Sequence, residues 1–262
     1  MKKAAILFNP SAGKGKAAKN LKRLEQLLTK LAVPFDLFVT QSEQDLKERT
    51  RKISPDYWAV AGAGGDSTFQ IMANELVNSG ANIPLGIIGL GSSNDISREF
   101  GLDSLERACL ALKERKTKRL DLGQIREGQK VLRYFLGQAN IGLGAWVNRY
   151  VAEIAERKPR LGKLQALAGT LAIRRAYRSR RIPIPLNIES ENKSVEGQFV
   201  LAVFGNIRYW ASGKKANPGA LPDDGLLDVC LIRACSFSRF AYLAMRSQKG
   251  KHTEAREVEL WR

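Results

Sequence analysis

Ala61-Gly62-Ala63-Gly64-Gly65-Asp66-Ser67-Thr68 is the stretch on which the reading of this chain turns. It follows a short apolar run, Tyr57 to Ala61, that reads as a buried strand, and it precedes a helical pattern from Phe69 to Val77. A strand that ends in glycines and turns into a helix aims backbone N–H groups at one spot, with the positive end of the helix behind them. Glycine suits such a turn because a Cβ would hold a phosphate away from the backbone. Ser67 and Gln70 have the spacing of a capping box, which predicts the helix start at this point. The plainer alternative is a tight strand-to-helix turn with no ligand.

Outward from this stretch, the first half of the chain alternates strand and helix. Ala4–Phe8 reads as a strand, Ala17–Leu31 as a helix with Leu21, Leu24, Leu28 and Leu31 on one stripe, and Phe35–Val39 as a second strand. Gln44–Lys52 reads as a polar helix, Trp58–Ala61 as a third strand, Pro84–Ile88 as a fourth, and Leu105–Leu112 as a helix. Alternation of this kind predicts an α/β fold: a Rossmann-like parallel sheet with helices on both faces and ligands at the carboxyl ends of the strands. Past about Thr117 the pattern changes. Leu120–Ile125 and Val131–Gly137 read as a hairpin around Glu127-Gly128, and Val147–Arg178 reads as largely helical apart from Pro159 and Gly162. Ile182–Ile188, Phe199–Phe204, Leu226–Ile232 and Val258–Trp261 then read as strands of a β-rich, sandwich-like second domain.

The chain carries 43 Lys and Arg against 26 Asp and Glu, a formal net charge of +17. Such charge favours anionic partners: a nucleotide, a nucleic acid or an acidic lipid surface. It is densest between Arg157 and Arg181, where Arg157, Lys158, Arg160, Lys163, Arg174, Arg175, Arg178, Arg180 and Arg181 face almost no acid. A solvated helix face is the plainer alternative. Apart from Tyr177 that stretch lacks the aromatics that nucleic-acid surfaces interleave with basic residues, which argues against nucleic acid. No apolar run approaches the roughly twenty residues of a membrane span. The basic-then-apolar start, Met1 to Phe8, is broken at Asn9-Pro10, too soon for a secretion signal, so the expected location is cytoplasmic. Cys109, Cys230 and Cys235 have no metal or redox spacing and read as free thiols. The lone His252 argues against a histidine metal site or a Ser-His-Asp triad.

Three further stretches have phosphate-site or cation-site chemistry. Asn9-Pro10-Ser11-Ala12-Gly13-Lys14-Gly15-Lys16 links a strand to a helix; its glycine spacing is not that of a P-loop, yet its glycines and lysines suit a phosphate. In Gly89-Leu90-Gly91-Ser92-Ser93-Asn94-Asp95, Ser92 can donate to phosphate, and Asn94 and Asp95 can cap a helix or hold Mg²⁺ through water. In Asn217-Pro218-Gly219-Ala220-Leu221-Pro222-Asp223-Asp224-Gly225-Leu226, carboxylates and turn carbonyls can bind a hard cation, or form a plain hairpin turn.

These four stretches stand in the order found in the diacylglycerol kinase catalytic-domain family, and the chain resembles its soluble bacterial lipid kinase branch. Asn9-Pro10 with Gly13, Gly64-Gly65-Asp66-Ser67-Thr68, Gly91-Ser92-Ser93-Asn94-Asp95 with Arg98, and Ala220 to Asp228 carry the resemblance, joined by Asn140 to Gly144 and Gly162-Lys163-Leu164. It implies an α/β nucleotide-binding kinase domain over residues 1–120 and a β-rich lipid-binding domain over residues 121–262, short of its C-terminal end. It further implies ATP contacts from Asn9, Thr40, Gly64, Gly65, Asp66, Ser67, Thr68, Phe69, Gln70, Ser92 and Asn94. Mg²⁺ would be held by the Asp224 carboxylate and the carbonyls of Leu221 and Leu226, with Asp66 and Asp95 positioning metal-bound water or the nucleotide. The implied reaction is phosphoryl transfer from ATP to a lipid hydroxyl such as that of diacylglycerol or phosphatidylglycerol, at an anionic membrane surface met peripherally. The sequence names no oligomeric state; a homodimer is compatible with it. Two departures stand out. Ser67 replaces the family's third glycine: its Cβ would crowd a phosphate or admit only a shifted one, while its hydroxyl could donate to it. The family's Asp-Gly-Glu, which supplies the acid that deprotonates the lipid hydroxyl, is absent before Arg262. A truncated fragment or a non-catalytic nucleotide- and lipid-binding protein on the same scaffold is therefore the alternative, and the catalytic residue stays unassigned.

Overall fold

Ala4–Phe8 is apolar at every position because both of its faces are covered: all five residues of this strand, β1, are buried. The computed structural model describes residues 2–157, 165–179 and 181–262. Contacts divide the chain into two compact units. One comprises Met1–Gly137, Tyr209–Gly213 and Leu221–Gly225; the other comprises Gln138–Arg208, Lys214–Ala220 and Leu226–Arg262.

In the first unit, β1 pairs in parallel with β2 (Phe35–Val39) and β3 (Ala59–Gly64), and β3 pairs in parallel with β4 (Leu85–Gly89). The strand order is β2-β1-β3-β4. On one face Ile6, Phe8, Ala61 and Ile88 pack with Leu24 and Leu28 of α1 (Leu21–Lys30) and Cys109 and Leu112 of α5 (Leu105–Glu114). On the other, Leu7 and Val60 pack with Leu46 of α2 (Glu43–Arg51) and Met72 and Leu76 of α3 (Asp66–Ser79). Helices thus cover both faces of a parallel sheet, as the alternation predicts. The short α4 (Asp95–Glu99) precedes α5, and the hairpin β5 (Gly123–Glu127) with β6 (Lys130–Phe135) follows it. A 3₁₀ turn, Lys16–Asn20, occupies what the periodicity assigns to the start of α1.

The second unit is antiparallel. Its spine is β9 (Ser194–Gly205), twelve residues long. Along one edge, Ser194 to Phe199 pairs with β8 (Ile184–Glu189) and Leu201 to Gly205 pairs with β7 (Gln138–Gly142). Along the other edge lies β12 (Asp228–Arg233), followed by β13 (Val258–Trp261). The short β10 (Tyr209–Trp210) and β11 (Lys214–Lys215) lie between β9 and β12 in sequence. Phe199, Ala202, Val229, Leu231 and Trp261 form a core with Leu186 and Ile188 packed against it.

Helix α6 (Leu143–Arg157) and helix α7 (Gln165–Arg178) realise the described part of the helical stretch; the break at Pro159 and Gly162, with Lys158, Arg160, Lys163, Leu164 and Arg180, lies outside the described residues. Besides the two-residue strands β10 and β11 and short 3₁₀ turns, β7 and α8 (Phe237–Arg246) are absent from the sequence expectation. β7 is short and mixed in polarity, and α8, capped by Ser236 accepting from the Arg239 N–H, hides among strand-like neighbours.

Cys109 and Cys230 are buried free thiols, pushed up by burial to about 11 and about 12. His252 is buried with its Nε2 on the Ala216 carbonyl at 3.0 Å. Among the described residues no three His, Cys, Asp or Glu side chains are grouped to hold a metal, and no helix is long and apolar enough to cross a membrane.

Leu231 is fully buried, so Leu231→Ala should cost about 2–5 kcal/mol of unfolding free energy in denaturant titration. The Arg239 guanidinium grips Glu257 through two hydrogen bonds of 3.1 and 2.8 Å and holds its carboxyl down to about 2, from an ordinary 4.5. A depressed carboxylate stabilises the fold above its unfolded value and loses that contribution as pH falls. Glu257→Gln should therefore flatten the acid limb of stability between pH 4.5 and about 2, measured by thermal unfolding across pH.

Candidate functional site

A parallel sheet ordered β2-β1-β3-β4 changes direction between β1 and β3, and the loops leaving the carboxyl ends of those two strands open a crevice there. The loop after β1 winds through left-handed backbone at Gly13, Lys14 and Gly15. Asn9 ties it down: its N–H donates to the Ala63 carbonyl at 2.9 Å and its Nδ2 to the Thr68 hydroxyl at 3.1 Å, while its Oδ1 accepts from the Ser11 N–H.

The loop after β4 closes on the same place. The Leu90 N–H donates to the Gly64 carbonyl at 2.6 Å. A Cβ on Gly91 would stand 2.5 Å from the Gly65 Cα, and one on Gly13 would stand 2.9 Å from the Leu90 carbonyl oxygen. Three strand ends therefore meet backbone to backbone. Gly64 has a second reason to be glycine: a Cβ there would lie 2.3 Å from the Thr68 hydroxyl oxygen. Its role is to let α3 begin close above β3.

Helix α3 starts at Asp66, with Gly65 as its N-cap and no side chain capping it. The expected capping box does not form. Ser67 is exposed, and Gln70 is drawn to the hairpin instead: its Oε1 accepts from the Leu136 N–H at 2.9 Å and its Nε2 donates to the Tyr134 carbonyl. Asn74 exchanges hydrogen bonds with the Tyr134 backbone at 2.9 and 3.0 Å. A long-range partner has outcompeted the local cap. The first amides of α3 are thus left without a side-chain acceptor, beside a left-handed, lysine-bearing loop, an arrangement that suits an anion.

Two carboxylates brace the floor. Asp66 accepts from the Asp95 and Ile96 N–H groups at 3.2 and 2.9 Å, so it caps α4 from a distance. Asp95 accepts from the Ser212 and Gly213 N–H groups at 3.0 and 2.7 Å. Burial pushes the Asp95 carboxyl above the usual carboxylate range, against the pull of those two amides. Each carboxylate expected to handle metal-bound water is thus engaged by backbone amides. Asn94, at the N-cap of α4, has left-handed backbone (φ 53°) and turns its Oδ1 back to the Gly91 N–H at 2.7 Å.

The remaining expected residues fall in two groups. Ser92 is exposed on the loop after β4. Thr40 is buried at the end of β2, its hydroxyl donating to the Phe8 carbonyl at 3.1 Å; Phe69 is buried in the sheet layer. Their main-chain N–H groups are spent on the Phe8 and Gly65 carbonyls, which leaves the acceptor side of the Thr40 hydroxyl for a ligand. Leu221 and Asp224 belong to the first unit, in a loop latched by Asp121, whose N–H donates to the Pro222 carbonyl and whose Oδ2 accepts from the Gly225 N–H. Leu221, Asp224 and Leu226 are exposed. Sequence reading missed Asn9 as the tie to Thr68, Gln70 and Asn74 as staples, and the 211–213 segment under Asp95. Only Asn9 carried a local signal, the Asn-Pro that ends β1.

Removing the Asn9 tie should loosen this junction: Asn9→Ala should cost about 1–3 kcal/mol, because the buried Thr68 hydroxyl loses its donor. Chemical denaturation measures it.

Comparison with known proteins matches two domains end to end. Residues 3–125 match the diacylglycerol kinase catalytic domain, and residues 137–262 match the YegS C-terminal NAD kinase beta sandwich-like domain. A diacylglycerol kinase of Mycobacterium tuberculosis (strain CDC 1551 / Oshkosh) is 29% identical over 264 residues, covering 99% of this chain and 82% of its own. One from Staphylococcus haemolyticus (strain JCSC1435) is 26% identical, covering 97% of this chain and 74% of its own. The crystal structure of a diacylglycerol kinase from Bacillus anthracis str. Sterne superposes with a TM-score of 0.69 at 19% identity, covering 99% of this chain and 83% of the other, which shows a shared fold. With both domains matched in order across nearly its whole length, the chain belongs to the diacylglycerol kinase catalytic-domain family of bacterial lipid kinases.

Proposed function

We propose that this lipid kinase uses ATP and transfers its γ-phosphoryl group to a lipid hydroxyl such as that of diacylglycerol or phosphatidylglycerol. The observation that carries the reading is the uncapped start of α3 at Gly65 and Asp66, where the loops after β1, β3 and β4 converge. Phosphoryl transfer asks little covalent work of a protein. It asks for alignment of the transferred group and for fixed donors where negative charge accumulates.

The residues divide that work. The main-chain amides of Gly65, Asp66 and Ser67, with the Ser67 hydroxyl and Ser92, face the phosphates, while the Thr68 and Phe69 N–H groups close the first turn of α3 on the Gly65 carbonyl. Asn9, Thr68, Asp66 and Asp95 act as struts that hold the three loops in register. Gly64, Thr40 and Gln70 shape the surroundings. The Asp224 carboxylate and the carbonyls of Leu221 and Leu226 are oxygen donors on an exposed turn, a set that fits a hard cation retaining several waters. Mg²⁺ bound by such donors would supply positive charge to offset that of a triphosphate. The acid that accepts the lipid proton is left unassigned.

Lipid extract incubated with the protein and γ-labelled ATP should yield labelled lipid. Retained ATP binding without labelled lipid would instead mark a nucleotide- and lipid-binding protein without turnover. Ser67→Gly removes the Cβ from the first turn of α3 and should tighten ATP binding several-fold in calorimetry. Asp224→Ala should raise the Mg²⁺ concentration needed for half-maximal turnover about tenfold.

A further inference from the structure

Strand β12 ends at Arg233, and the chain turns through Ala234, Cys235 and Ser236 into α8. The approach to β13, Arg256 and Glu257, runs beside this turn: the Arg233 N–H donates to the Glu257 carbonyl at 2.8 Å. Together with Arg239 of α8 these residues line a cavity of about 750 Å³, all of it in the second unit. That volume lies in the range of small-molecule sites and is far more than a bare phosphate fills.

The lining is rich in guanidinium. Arg233 comes from the end of β12, Arg239 from the first turn of α8 and Arg256 from the approach to β13. Two carboxylates meet these three cations. Arg233 holds Glu259 through Nε and Nη2 at 2.6 and 2.5 Å, and Arg239 holds Glu257 through Nε and Nη2 at 3.1 and 2.8 Å. A guanidinium carries five N–H donors, so each grip leaves the Nη1 edge unspent. Arg256 makes one long contact, Nε to Glu257 at 3.5 Å, and its side chain is 92% exposed. One positive charge is in excess. The Glu257 carboxyl, held far below its ordinary value chiefly by Arg239, registers that surplus.

We propose that this cavity binds a phosphomonoester, its phosphate held by the unspent donors of Arg233, Arg239 and Arg256 and its organic part lying along Ala234 and Cys235. Arginine forks match phosphate oxygens in pairs. A phosphomonoester brings nearly two charges and three terminal oxygens to the three forks. A carboxylate, or the phosphodiester of a nucleic acid, brings one charge and two such oxygens. The phosphorylated lipid formed in the reaction proposed above carries a phosphomonoester, so the site would let the second unit sense product. That biological sense rests on the kinase reading; the binding does not.

Calorimetry of the full chain with glycerol 3-phosphate, inorganic phosphate, dioctanoyl phosphatidic acid and plain glycerol tests the site, joined by iodoacetamide labelling. Cys109 and Cys230 are buried and Cys235 is half-buried, so the labelling rate reports the cavity wall. Glycerol 3-phosphate should bind and, at saturation, slow alkylation of Cys235 several-fold; glycerol should do neither. Arg256→Gln should weaken binding about tenfold to a hundredfold. It should leave thermal unfolding unchanged, since that side chain is almost wholly exposed. Arg256→Lys, which keeps the charge and loses the fork, should restore only part of the affinity. Tighter binding of dioctanoyl phosphatidic acid than of glycerol 3-phosphate would support the site and assign it to lipid head groups; the reverse would support it and assign it to a soluble ester. The proposal is overturned by absence of heat and protection with every phosphomonoester, by equal binding in Arg256→Gln, or by protection with glycerol. Inorganic phosphate binding as tightly as the esters would mark an adventitious ion only and overturn it as well. Lipid phosphorylation is scored separately: its absence with intact ester binding would sink the kinase reading and leave this site standing.

Discussion

The close approach of Gly65 and Gly91 is the constraint on which the first unit's site depends. With a Cβ at Gly91 only 2.5 Å from the Gly65 Cα, no other residue lets the loops after β3 and β4 touch. That touch places the Gly64 carbonyl on the Leu90 N–H, brings Asp66 over the amides of α4, and leaves the start of α3 without a side-chain cap. A chain of carboxylates continues outward, from Asp66 to α4 and from Asp95 to the 211–213 segment. The acidic residues here act first as structure. Burial of Asp95, which raises its carboxyl against two amide hydrogen bonds, is the cost of that bracing.

Much of the fold could be read in advance because its signals were local. β1 is apolar throughout, α1 carries a leucine stripe, and β2 and β13 fall at the residues the pattern predicts. The glycine turn was read in kind but not in detail. β3 runs on to Gly64 because the glycines at 62 and 64 remain extended and buried in the sheet, and α3 begins before the apolar periodicity does. The predicted capping box failed for a nonlocal reason: Gln70 finds the Tyr134 and Leu136 backbone, more than sixty residues away. β7 was hidden because it passes straight into α6 with no turn residue between them. α8 carries a serine cap and an apolar stripe through Phe240 and Leu243, signals that its strand-rich surroundings overshadow.

The candidate site shows the same division. Glycine spacing located the strand ends, because a turn's glycines answer to local backbone geometry. What the neighbouring polar side chains do was not readable, because Asn9, Asp66 and Asp95 each choose a partner distant in sequence. Ser67 is the residue where local rule and family pattern part. It sits exposed at the first turn of α3, where its hydroxyl can donate and its Cβ can crowd.

The most direct test is a MgATP titration of the isotope-labelled protein followed amide by amide. Shifts concentrated on Gly65 to Phe69, together with Gly13 and Gly91, are the expected result. Saturating nucleotide that leaves those amides unmoved, or that perturbs only surfaces remote from the ends of β1, β3 and β4, would contradict the account.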